Sequence, residues 1–166
     1  AVARRGRLGF NMPILYSGNS RKTELEQELG AQFRSLDQLL AEADFVCLVV
    51  PLSEKTRHLI SHRELGLMKS SAILVNISRG PVVDEPALIE ALQNHTIRGA
   101  GLDVYEQEPL SESPLFQLSN AVTLPHIGSA TNETREAMAN RALENLRSAL
   151  LGERPQDLVN PQVWKG

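Results

Sequence analysis

Residues 72–92 read AILVNISRGPVVDEPALIEAL, and the order of events in them decides the fold class. An apolar run of strand length, Ala72 to Ile77, gives way to a polar turn at Ser78, Arg79 and Gly80. Asp84 then stands where a helix cap is needed, with Pro86 in the first turn of the amphipathic stretch that follows. Strand, turn and capped helix make one βα unit. Further short apolar runs lie at Pro13 to Tyr16, Gln32 to Arg34, Asp44 to Val50, Arg98 to Asp103 and Ala121 to Leu124. Helix-like stretches of roughly 8 to 12 residues separate them, the cadence of a parallel α/β sheet wound by crossover helices.

Two further helices are marked by their ends. Ser20 precedes KTELEQEL and Gly30 stops it, and Thr131 to Leu151 forms the longest segment, with Met138, Ala142, Leu146 and Leu150 on one face and Gly152 closing it. The tail, residues 153–166, carries Pro155 and Pro161 and reads as irregular. The opening AVARRGRLGFNMPILY reads as the last turns of a helix, a loop and a strand, without the strand and glycine-rich turn that start a doubly wound nucleotide domain. Gly6 and Gly9 fall after that helix, where no helix N-terminus waits for a pyrophosphate, so GRLG is not read as a phosphate loop. Residues 1–152 are therefore expected to be an incomplete doubly wound domain, with 153–166 an irregular C-terminal tail. In the strand order 3-2-1-4-5-6, Pro13 to Tyr16 and Asp44 to Val50 should flank an empty place.

Composition narrows the classes. A chain of 166 residues, 42% apolar, can bury one core and fits a single domain. A net charge of −3 offers no basic footprint for nucleic acid. The apolar stretch from Phe45 to Val50 is far too short for a membrane span. No signal-peptide pattern is present, and a cytoplasmic location is expected. Cys47, inside a strand pattern, reads as a buried inert thiol. His58, His62 and His95 read as structural or solvated, and no ligand spacing suggests a metal.

Three ionisable residues each stand just past an apolar run: Arg79 after AILVNIS, Glu108 after GAGLDVYEQ and His126 after AVTLP. In an open parallel sheet the reactive crevice lies outside the carboxyl ends of the strands, so such residues converge. Arg79 offers two parallel donors to a carboxylate and its neighbouring carbonyl oxygen. His126 suits the proton donor to a developing alkoxide, and Glu108 would hold that imidazole in its charged form. Taken singly, each also admits a plain reading: a surface arginine, a structural histidine, a solvated glutamate.

Together, NISRGPVVDEPALIEAL, GAGLDVYEQEPL and LPHIGSAT resemble the successive signatures of the D-2-hydroxyacid dehydrogenase family, and GFNMPILYSGNS with HIGSAT is most similar to its glyoxylate/hydroxypyruvate reductase branch, which includes 2-ketogluconate reductases. The resemblance implies a Rossmann-like fold, a small 2-keto acid as substrate, NAD(P)-linked hydride transfer and a homodimer. Members have about twice this length, so the chain resembles their C-terminal half. The resemblance also implies cofactor contacts at Pro51, Thr56, Ile77, Ser78, Asp103 and Gly128. Formate dehydrogenases of this fold carry glutamine where this chain has Glu108, which counts against formate oxidation.

Cofactor choice is read at the end of the strand closing in Tyr16. NAD-selective sheets place an acid there for the ribose hydroxyls, whereas this chain continues Ser17, Gly18, Asn19, Ser20, Arg21, Lys22, with no acid before Glu24. NADP(H) is therefore expected over NAD(H), with Ser17 and Asn19 as hydrogen-bond donors and Arg21, with Lys22 beside it, facing a 2′-phosphate. Two other classes stay open: a nucleotide-sensing corepressor on this same domain, and another family dehydrogenase acting on phosphoglycerate or D-lactate.

Overall fold

The computed structural model describes residues 1–164, so Lys165 and Gly166 of the expected tail lie outside the described residues. Six strands alternate with helices: α1 Val2–Phe10, β1 Leu15–Tyr16, α2 Thr23–Leu29, β2 Gln32–Phe33, α3 Leu36–Glu42, β3 Phe45–Leu48, α4 His62–Leu67, β4 Ile73–Asn76, α5 Glu85–Gln93, β5 Gly99–Leu102, β6 Ala121–Thr123 and α6 Asn132–Leu150. Every pairing is parallel. The strands form two sheets, β1-β2 and β3-β4-β5-β6. That break between β1 and β3 falls where the doubly wound order leaves a place for one more strand.

The core lies on one face of the larger sheet. Val46, Leu48, Leu74, Ala100 and Leu102 point to it and pack with Leu40 of α3, Leu65 of α4 and Leu88 and Leu92 of α5. Leucines buried to this degree each contribute about 1.5 to 3 kcal/mol of transfer free energy. The alternate residues fare differently: Phe45, Val49 and Val122 are 58%, 65% and 64% exposed. Cys47 is half-buried, and that burial pushes its thiol pKa up, consistent with an unreactive side chain. Among the described residues no helix is long and apolar enough to cross a membrane.

Three local expectations need correction. Ser20 does not cap α2, which begins at Thr23 after Lys22 without any side-chain cap. The Lys22 N–H that would have marked an earlier start is taken by the Tyr16 hydroxyl at 2.6 Å. Gly6 and Gly9 lie inside α1 rather than after it, because the helix runs on to Phe10 and is closed by Asn11 in the left-handed region. The strands are also shorter than the apolar runs by one or two residues at their ends. Compact packing divides the chain after Pro125, with a second unit from His126 onward. Within that unit Thr131 caps α6, and Met138, Leu146 and Leu150 are exposed.

Asp84 caps α5 as expected, accepting the Ala87 N–H at 3.2 Å, and it also accepts the Ser61 hydroxyl at 2.8 Å at the start of α4. Burial alone would raise its carboxyl pKa. The Ser61 hydroxyl, the Ala87 N–H and nearby His58 and His62 outweigh this and hold it below the usual carboxylate range. A lowered folded-state pKa means that the stabilisation is fully present above the unfolded value and is lost as pH falls through the folded one. Asp84→Asn is therefore expected to cost about 1 to 2 kcal/mol near neutral pH. It should also flatten the loss of stability on acidification, read by urea denaturation across the acid range; an unchanged acid slope would show that Asp84 is not the group responsible.

Candidate active site

β3 and β4 end side by side, Leu48 opposite Asn76, and the segments that leave them line an open cleft of about 620 Å³. Val49 to Leu52 form one wall and Ile77 to Arg79 the other, a volume within the range of small-molecule sites. Pro51, Ile77, Ser78 and Arg79 are thus brought together at the strand ends. Thr56 braces the first wall, its hydroxyl donating to the Pro51 carbonyl at 2.7 Å. The second wall is shaped by Asn76, only 1% exposed, whose side chain accepts from the Ser78 N–H at 3.1 Å and hydroxyl at 2.9 Å and donates to the Arg79 carbonyl at 3.1 Å. The Arg79 guanidinium is anchored through Nη1 on the Ser78 carbonyl at 2.7 Å.

Gly80 explains why the next loop lies where it does. A Cβ at this position would stand 1.8 Å from the Tyr105 carbonyl carbon and oxygen, so only glycine admits the close approach. The Tyr105 N–H in turn donates to Glu108 Oε1 at 3.0 Å, and the buried Tyr105 hydroxyl donates to the Leu124 carbonyl at 2.8 Å. Asp103 is buried beside them, its N–H on the Asn76 carbonyl at 3.0 Å. A second clamp ties the same loops. His58 donates its backbone N–H to the Pro81 carbonyl at 2.8 Å, and its Nε2 meets Glu106 Oε1 at 2.7 Å, while the Glu106 N–H donates to Glu85 Oε2 at 3.1 Å.

His126 and Gly128 belong to the second compact unit, which His126 opens with its backbone in the left-handed region at φ 54°. Both are exposed. Among the described residues no group of three His, Cys, Asp or Glu side chains is placed to hold a metal ion. His62, read as structural or solvated, meets Glu90 at 3.1 Å.

The other expected contacts stand past the end of β1. Ser17 is half-buried and Asn19 exposed. The Arg21 fork is bound along one edge by Glu26, Nε to Oε1 at 3.0 Å and Nη2 to Oε2 at 2.7 Å. The absence of an acid before Glu24 therefore did not mean that no acid stands near: the first turn of α2 carries Glu26 back to the strand end. Apolar walls with polar backbone groups at strand ends, and a guanidinium at the neighbouring strand end, form a donor set that fits a nicotinamide dinucleotide. The G-x-G-x-x-G turn that cradles its pyrophosphate does not occur in the sequence.

The sequence reading missed Asn76, Gly80, Tyr105 and the pairing of His58 with Glu106. Only Asn76 carried a signal, as the one polar residue within an otherwise apolar strand run.

The family model for the D-isomer specific 2-hydroxyacid dehydrogenase NAD binding domain matches residues 1–128. Glyoxylate/hydroxypyruvate reductase B of Yersinia pestis (strain Pestoides F) is 56% identical over 164 residues, 98% of this chain and 50% of that protein. Among solved structures, the TT0316 protein of Thermus thermophilus is similar with a TM-score of 0.87 at 46% identity, over 95% of this chain and 49% of that one. The NADPH-dependent glyoxylate/hydroxypyruvate reductase of Sinorhizobium meliloti, in complex with NADP and malonate, gives a TM-score of 0.82 at 34% identity over 90% of this chain and 46% of that one. The chain spans about half the length of the curated relatives it matches.

The contact at Gly80 sets a clear expectation. Gly80→Ala should destabilise by at least about 3 kcal/mol, the upper end for overpacking, because the obstacle is backbone. Gly66→Ala in α4, where nothing lies within 4 Å, should be neutral or stabilising by up to about 1 kcal/mol. Urea denaturation of the two variants compares them directly; equal stabilities would remove Gly80 from its place as the keystone of the loops.

Proposed function

The chain belongs to the D-isomer specific 2-hydroxyacid dehydrogenase family, and from that premise we propose that it is the nucleotide-binding part of an enzyme reducing a small 2-keto acid, of glyoxylate, hydroxypyruvate or 2-ketogluconate type, to the D-2-hydroxy acid, with NADP(H) favoured over NAD(H). The observation that carries this reading is the cleft at the ends of β3 and β4 with Arg79 on its wall. A bound NADPH supplies the hydride. Arg79, tethered by Nη1, keeps its remaining donors for the substrate carboxylate and carbonyl oxygen. His126 gives a proton to the oxygen as it becomes an alkoxide, and Glu108, fixed by the Tyr105 N–H, is the carboxylate that keeps this acid charged. Pro51, Thr56, Ile77, Ser78, Asp103 and Gly128 border the cofactor, and Ser17, Asn19 and Arg21 meet its adenosine end.

In the same reading, residues 1–152 serve the nucleotide and residues from 153 on return toward a substrate domain. The pyrophosphate turn comes from a strand placed between β1 and β3. Among the described residues, the unpaired edges of β1 and β3 support this. The exposed leucines of α6 support a homodimer, and a cytoplasmic location fits the chemistry.

Assay of the full-length protein against a panel of 2-keto acids with both cofactors tests the reading; turnover of none would overturn it. Within that assay, His126→Ala should lower kcat for reduction by at least about a hundredfold, with little change in NADPH dissociation. Retention of the parent kcat would take the acid role from His126. Arg21→Ala should cost NADPH binding about 1.5 to 3 kcal/mol and leave NADH unaffected. An unaltered preference would mean that Arg21 does not meet the phosphate.

A further inference from the structure

The end of β1 holds a cluster of which the proposed function uses only Arg21, leaving Tyr16 and Glu26 without a role. Tyr16, the last residue of β1, packs edge-on against Phe33 of β2 with ring centroids 5.4 Å apart. Its hydroxyl accepts the Lys22 N–H at 2.6 Å and donates to Glu26 Oε1 at 2.5 Å. Glu26 is thereby fixed from the strand side, and its side chain is only 18% exposed, whereas that of Arg21 is 67% exposed. The carboxylate is the anchored partner and the guanidinium is the arm laid against it.

The geometry of the guanidinium gives this arrangement its meaning. Arg21 uses Nε and one N–H of Nη2 on Glu26. Three of its five N–H groups remain, the two on Nη1 and one on Nη2, and they form the end-on fork that matches two oxygens of a phosphate. The hydrogen bonds from the Arg21 guanidinium and the Tyr16 hydroxyl hold the Glu26 carboxyl below its usual pKa range, so it is charged at neutral pH. An exposed ion pair of this kind adds little to stability, which leaves orientation as its main effect.

We infer that Glu26 is a positioning residue for cofactor choice: anchored by Tyr16, it holds Arg21 side-on so that the free end-on fork faces a 2′-phosphate. This deepens the proposed preference for NADP(H) and rests on it. Plain charge reasoning predicts the opposite sign, because an acid beside the ribose repels a 2′-phosphate and favours the unphosphorylated cofactor. Here the acid is neutralised by the arm it orients. Its loss frees the long Arg21 side chain to sample its rotamers, and phosphate binding must then order it again.

The test is a comparison of Arg21→Ala, Glu26→Gln and Tyr16→Phe in the full-length protein. Dissociation constants for NADPH and NADH are read by fluorescence, and for adenosine 2′,5′-bisphosphate and 5′-AMP by calorimetry. Glu26→Gln should weaken NADPH and the bisphosphate by about tenfold and leave NADH and 5′-AMP unchanged. A general loss of fold would weaken all four alike. Tyr16→Phe, which keeps the ring packing and removes the hydroxyl that anchors Glu26 and accepts the Lys22 N–H, should show the same selective loss in smaller measure and serves if Glu26→Gln does not fold. Should Arg21→Ala abolish the preference while Glu26→Gln and Tyr16→Phe leave it intact or sharpen it, the positioning role is overturned and the phosphate reading stands. If Arg21→Ala itself leaves the preference intact, both fall together.

Discussion

Close backbone approach at Gly80 is the constraint on which the site depends. The Arg79 turn and the loop of Tyr105 to Glu108 leave neighbouring strands β4 and β5, and both must pass through the space above their ends. With no Cβ at Gly80 the two backbones touch. Once they do, the rest follows by short hydrogen bonds: Asn76 shapes the turn from below, Tyr105 closes on the Leu124 carbonyl, and Glu106 reaches His58 and Glu85. A carboxylate and a guanidinium that stand on different loops are thereby each held by a backbone group, Glu108 by the Tyr105 N–H and Arg79 by the Ser78 carbonyl. Such support orients charged groups through the chain itself.

The same logic recurs at the end of β1, with side chains in place of backbone. Tyr16 is the fixed point there because its ring is packed and its hydroxyl has both roles filled, as donor to Glu26 and acceptor from Lys22. That second bond also occupies the Lys22 N–H that Ser20 would have accepted as a cap, and α2 starts at Thr23.

The fold was legible because its signals are periodic and local. Ala72 to Ile77 and Asp84 with Pro86 carry strand, turn and cap within a few residues, and all six strand positions follow from similar runs. Boundaries were less legible: Gly6 and Gly9 looked like loop residues, but an exposed amphipathic turn tolerates glycine when a left-handed Asn11 can close the helix later. Of the cleft residues, Arg79 could be named because strand ends converge by topology, whereas Pro51, Ile77 and Ser78 were named from the family resemblance. Glu26 could not be weighed at the strand end, since helical periodicity shows which residues share a face but not which loop the face is turned toward. Nor could Gly80, because close approach is a property of two chain segments and the sequence writes them separately.

The gap between β1 and β3 links the shape of the sheet to its chemistry. Parallel strands are normally buried on both faces, and an unpaired apolar edge is a liability, yet among the described residues β3 pairs only with β4, and Phe45 and Val49 remain largely exposed. In a doubly wound sheet the connections run in opposite senses on the two sides of such a point, and this divergence opens the crevice that receives a ligand. The cleft of this chain lies at the carboxyl ends of β3 and β4, of which β3 is the strand that borders the gap. A strand inserted there would cover the apolar edge and bring a phosphate-binding turn to the rim of the cleft in one step, so the demands of folding and of cofactor binding converge on the same place.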